Sequence, residues 1–93
     1  MKRDERPPKE PPSEEIDLHG LIADEALFRL ERYLNEAFMS GLIRVRVVHG
    51  KGTGTLRQVV REMLGDHPLV EEYFPAEPRE GGGGATIVVL VRY

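Results

Sequence analysis

The chain has no cysteine and no tryptophan, and aromatic residues make up only 6% of its 93 positions. Without cysteine there is neither a disulfide framework nor a thiolate metal site, a composition that suits a reducing compartment. No apolar run approaches the roughly 20 residues a membrane span needs. The N-terminus is charged and proline-rich, the opposite of a signal peptide's apolar segment. These absences predict a soluble, cytoplasmic protein with no membrane partner. Tyr33, Phe38 and Phe74 are expected in the core, and no exposed aromatic platform for base stacking is evident. Sequence-specific reading of a single strand is therefore not indicated.

What is present divides into two parts. Residues 1–15 hold four prolines, nine charged residues and one apolar side chain, Met1. Such a segment cannot bury enough surface to offset chain entropy, so it is expected to be a disordered linker, joined in nature to something larger. Residues 16–93 allow one small domain, which must place most of its apolar residues inside. The formal net charge is -3, which argues mildly against nucleic acid as a partner. Between Arg44 and Arg61, however, there are five basic residues (Arg44, Arg46, Lys51, Arg57, Arg61), His49 and no acid. A local patch of this kind can hold phosphates on a globally acidic protein. Ordinary surface charge explains it as well.

Periodicity supplies the elements. Ile16 to His19 alternates apolar and polar, as a short strand does, and Gly20 ends it. From Ala23 to Ser40, Ala26, Leu27, Leu30, Tyr33, Leu34, Ala37 and Phe38 form one apolar stripe at helical spacing. Gly41 suits the position after a helix end. Leu42 to Val48 alternates strongly, with Val45 and Val47 on one face and Arg44 and Arg46 on the other. A second helix is expected over residues 55–64, with Thr53 as its N-cap and Gly65 as its stop. A strand over 70–74, a loop over 76–84 and a final strand over 85–93 complete the order βαβαββ. The last strand is the most apolar and belongs in the middle of the sheet. The predicted fold is α+β: a two-layer sandwich with a four-stranded mixed sheet and two helices on one face.

Two short motifs could carry chemistry. Asp17 and His19 are two apart on a strand and leave the same face, where the strand enters a turn and a helix. An aspartate beside a histidine can orient the imidazole, stabilise its cation or bind a metal; it can also be a plain turn. His49-Gly50-Lys51-Gly52-Thr53-Gly54 is a glycine-rich loop between a strand and a helix. Its glycines would let the backbone approach a phosphate, and the helix start offers free N–H donors. It matches neither a Walker A loop nor a dinucleotide fingerprint. If the first two strands are parallel neighbours, His19 and His49 face one crevice beside Asp17 and Lys51. Two imidazoles, a carboxylate and an ammonium around a phosphate suffice for acid–base cleavage of a phosphodiester. RNA supplies its own 2′-hydroxyl nucleophile; on DNA a water must be activated, often with Mg2+ or Mn2+. The donor set is too sparse to predict a metal.

Asp17-Leu18-His19-Gly20, then Val48-His49-Gly50-Lys51-Gly52, then Leu56-Arg57, then Gly84-Ala85-Thr86 opening the last strand, resembles the pattern of the Smr (small MutS-related) domain over residues 16–92. Each piece is weak alone; their order and spacing are specific. The resemblance implies the βαβαββ sandwich. It also implies an endonuclease that nicks DNA or cuts RNA, acting alone or as the C-terminal part of a larger ATPase-containing MutS paralogue, with nucleic acid or a ribosome as partner. On that analogy Asp17 and His19 are the catalytic pair and His49 belongs to the second motif. Gly50, Lys51, Gly52, Thr53, Arg57, Arg44, Arg46 and Gly84 are the expected nucleic-acid contacts. The chain keeps Asp-x-His, which favours an active nuclease. Ile22 stands where many relatives have a polar helix cap. The alternatives are a non-catalytic module that docks nucleic acid or a ribosome, and a protein-interaction domain whose basic patch recognises an acidic partner.

Overall fold

A computed structural model describes residues 13–92. The elements run β1 (Glu15–Asp17), α1 (Ala23–Met39), β2 (Arg44–Val48), α2 (Thr55–Asp66), β3 (Val70–Pro75) and β4 (Ala85–Leu90). The sheet order is β1-β2-β4-β3, with β1 parallel to β2 and both other pairs antiparallel. This is the expected mixed sheet, with the most apolar strand, β4, inside it. Among the described residues no helix is long and apolar enough to cross a membrane.

The alternation in β2 and the stripe on α1 explain the layering. Val45 and Val47 join Leu18, Ala26, Leu30, Leu34, Ala37, Val60, Leu64, Val88 and Leu90 in one core between the sheet and the two helices. Tyr33 is buried with them and donates its hydroxyl to the Ser13 carbonyl at 2.6 Å. Burial pushes that phenol up to about 12. A smaller cluster of Ala76, Ala85 and Ile87, with Val48 and Phe74 packed on it, lies on the other side of the sheet. There the Arg44 guanidinium stands 5.7 Å over the Phe74 ring.

Several boundaries differ from expectation. The fold reaches back to Ser13: Glu15 pairs in register with Arg46, and the Glu14 carbonyl accepts from the Arg46 amide. The last two residues assigned to the linker, Glu14 and Glu15, therefore pair at the sheet edge, and Ser13 before them accepts from Tyr33, while residues 1–12 lie outside the described residues. Gly65 does not stop α2, which continues through Asp66; the extended His67 before Pro68 ends it. The residue preceding α2 is Gly54, not Thr53, whose hydroxyl instead accepts from the Thr55 amide at 3.3 Å. The loop over 76–84 contains two short 3-10 turns, at Pro78–Glu80 and Gly82–Gly84. Gly41 behaves as expected. With φ +83 it closes α1, its amide donating to Phe38 O and that of Leu42 to Ala37 O.

Candidate functional site

The parallel pairing of β1 with β2, Asp17 opposite Val48, brings the loops after both strands to one end of the sheet. Their contact is close. Gly50 has φ +82, and a Cβ built there would stand 3.1 Å from the His19 Cβ. Gly84 completes the junction: its carbonyl accepts from the amides of both His49 and Gly50, and a Cβ there would lie 3.4 Å from the Lys51 Cγ. Three separate segments thus meet where the sequence places its motifs.

Asp17 and His19 form an exposed dyad. Asp17 Oδ1 accepts from the His19 amide at 3.0 Å and lies 2.6 Å from the His19 Nδ1. An ionised carboxylate can only accept, so Nδ1 carries the hydrogen and Nε2 is the free ring nitrogen. Side-chain exposure is 67% for His19 and 51% for Asp17, so the dyad faces solvent. The bond from the imidazole, followed by that from the His19 amide, holds the Asp17 carboxyl below its usual 3.8.

Beside the dyad is a cleft of about 420 Å³ between the start of α1 and the loop before α2. Gly20, Ile22, Gly50, Lys51, Gly52 and Thr53 line it, with Arg57 from the first turn of α2. Its lining contains two cations and no carboxylate. The α2 N-terminus opens here without an acidic residue in its first turn and without a side-chain cap. That leaves the positive end of the helix to whatever anion approaches. The Arg57 guanidinium reaches the Gly83 carbonyl at 3.4 Å.

His49 does not share the crevice with His19 as an open imidazole. Its residue exposure is 3%. Its Nδ1 lies 3.0 Å from the Gly50 carbonyl, which can only accept, so Nδ1 is the donor. Its Nε2 lies 2.9 Å from the Thr86 hydroxyl. Burial, opposed by the Gly50 bond and reinforced by Arg61 and Arg57, lowers the His49 pKa from 6.5. His49 lines the cleft, but both of its ring nitrogens are engaged within the protein, by Gly50 and Thr86.

Arg44 and Arg46 also stand apart from the cleft. They line a groove on the helix-free side of the sheet with Asp17, Glu15 and Glu80. Arg46 is ion-paired with Glu15 and donates to the Glu80 carbonyl at 2.8 Å; Arg44 pairs with Glu80 at 3.2 Å. Asp17 is the residue that borders this groove and the dyad together. Sequence reasoning placed Thr86 in the last motif but missed its bonds to His49 and Arg61, and it missed Glu15 and Glu80. A lone hydroxyl inside the apolar run of β4 was the available signal for Thr86. Among the described residues no three His, Asp or Glu side chains gather as a metal-binding group.

The chain is thus an α+β domain with an exposed Asp–His pair and a cleft lined by two cations at the carboxyl ends of two parallel strands. The chain belongs to the Smr domain family, whose model matches residues 16–91. It is 59% identical over 76 residues to "Endonuclease MutS2" of Thermomicrobium roseum, which covers 82% of this chain and 10% of that protein. It is 49% identical over 78 residues to the protein of the same name from Pelotomaculum thermopropionicum, covering 84% of this chain and 10% of that one. The chain thus spans about a tenth of these curated relatives. The crystal structure of the Smr domain of Thermus thermophilus MutS2 superposes with a TM-score of 0.82 at 47% identity, covering 84% of this chain and 98% of that one. YdaL, a stand-alone small MutS-related protein from Escherichia coli, gives 0.80 at 27% identity, covering 84% of this chain and 64% of that one.

Proposed function

We propose that this domain is an endonuclease acting on the phosphodiester backbone of nucleic acid with little sequence preference. The observation that carries the reading is the exposed Asp17–His19 dyad, followed directly by Gly20, which lines a cleft together with Lys51 and Arg57. His19 Nε2 takes the proton of the attacking oxygen, and Asp17 holds the ring and stabilises the resulting imidazolium. Lys51, Arg57 and the free amides at the start of α2 bind the phosphate and the charge that grows on its non-bridging oxygens. The names of the MutS2 relatives support the same reading.

On RNA, the 2′-hydroxyl attacks phosphorus, the 5′-oxygen leaves with a proton from solvent, and a 2′,3′-cyclic phosphate results. On DNA the nucleophile is a water, whose proton passes to His19 Nε2, and a bridging oxygen leaves with a proton from solvent. The test is incubation of the domain with RNA and with supercoiled DNA, with and without chelator, followed by analysis of the ends. Cleavage of either supports the reading, and a cyclic phosphate assigns the RNA route. Intact substrates under all conditions, with measurable binding, would instead support the non-catalytic docking module. The burial of His49 favours that second reading, because it removes one of the two imidazoles expected to act on the phosphate.

A further inference from the structure

The five basic residues between Arg44 and Arg61 divide in two. Arg44 and Arg46 are ion-paired with Glu80 and Glu15. Lys51, Arg57 and Arg61 have no carboxylate partner among the described residues. Arg57 and Arg61 are four apart on α2, so their side chains are neighbours on one face, a like-charge arrangement that a helix does not favour by itself. Both reach toward the segment that opens β4: Arg57 to the Gly83 carbonyl and Arg61, through Nε, to the Thr86 hydroxyl at 3.2 Å.

Thr86 is fully buried and is shared. Its oxygen accepts from Arg61 Nε and, since His49 Nδ1 is the donor to Gly50, its hydrogen goes to His49 Nε2. The chain of bonds therefore runs in one direction, from Arg61 to Thr86 to His49 to Gly50. It fixes the guanidinium by its Nε and leaves both terminal amino groups without a partner among the described residues. An arginine held in this way is pre-organised to use those groups on a planar or tetrahedral anion.

We propose that Arg61 is a second phosphate clamp, one helical turn along α2 from Arg57, and that the buried His49–Thr86 pair is the positioning device that aims it. The cleft residues Lys51 and Arg57 hold the phosphate beside His19, and Arg61 holds another phosphate of the same strand. The two grips lie about 6 Å apart along the helix axis, a separation suited to successive phosphates of an extended single strand. This rests on the reading that the domain binds nucleic acid, and it assigns to the buried histidine a part that acid–base chemistry does not.

The test is binding of fluorescein-labelled single-stranded RNA and DNA oligonucleotides over a salt series, in a His19→Ala background so that the probes stay intact. Arg61→Gln is expected to lower the slope of log K against log salt by about 0.7, the loss of one phosphate contact. Thr86→Val is expected to weaken binding several-fold when Arg61 is present and to have no effect in the Arg61→Gln protein, while Thr86→Ser restores the parent affinity. An unchanged slope in Arg61→Gln, or an equal loss from Thr86→Val in both backgrounds, would overturn the inference and leave the proposed function standing. If the parent protein binds neither probe, both fall together.

Discussion

Gly50 packs close against the His19 side chain: a Cβ placed on Gly50 would stand 3.1 Å from the His19 Cβ, and Gly50 itself has φ +82. The glycine of the second motif is thus what allows the histidine of the first to stand beside the cleft. Gly50→Ala combines left-handed strain with that contact. It is expected to cost about 1–2 kcal/mol for the backbone alone, a fall in Tm of several degrees for a domain of this size. Thermal unfolding measures the strain. A loss of cleavage well beyond the unfolded fraction measures the displacement of His19.

Ile22 precedes α1 with φ -71 and ψ 158, is 74% exposed and makes no side-chain cap. The extended backbone already suits a capping residue. Ile22→Ser supplies an oxygen for an orphan amide of the first turn and is expected to stabilise by about 0.5–2 kcal/mol. A rise in Tm checks this; an unchanged or lowered value contradicts it.

The fold was legible because its patterns were strong: strict alternation in β2, a helical stripe on α1 and one very apolar strand. The boundaries were less so. Glu14 and Glu15 read as part of a charged linker, yet their backbone pairs with β2, and a charged side chain at a sheet edge conceals that pairing. Gly65 read as a stop, but helix geometry tolerates it where the Tyr73 hydroxyl fills the adjacent space. In the site, the two motifs did converge. The orientation of His49 was hidden because a histidine after a strand points to either face, and its partner Thr86 is 37 positions away.

The burial of His49 makes stability depend on pH in a defined direction. Well above 6.5 the ring is neutral in the folded and unfolded chains alike. As pH falls below 6.5 the unfolded chain takes up a proton that the folded ring, with its lowered pKa, does not. Folded stability therefore decreases through that window, and His49 contributes no further loss below the folded pKa. Proton NMR titration of the His49 ring should give a midpoint below 6.5. A midpoint at or above it contradicts the burial of the ring beside Arg61 and Arg57.

The two classes of cation should behave differently toward nucleic acid. Lys51→Gln or Arg57→Gln removes a charge that no carboxylate among the described residues offsets, and is expected to lower the salt slope by nearly one phosphate contact. Arg44→Gln and Arg46→Gln remove charges already matched by Glu80 and Glu15, so each should weaken binding less. Equilibrium binding at two salt concentrations separates the groups; equal losses from all four would show that Arg44 and Arg46 shed their partners on binding.

The most direct measurement is the rate at which His19→Ala cleaves RNA and supercoiled DNA, taken with its melting temperature. The His19 side chain is mostly exposed and belongs to neither apolar cluster, so the variant should melt within a few degrees of the parent. Loss of the proton acceptor should slow cleavage by about 10²–10⁴-fold. A folded His19→Ala protein that cuts both substrates at the parental rate would show that the dyad is not the catalytic centre.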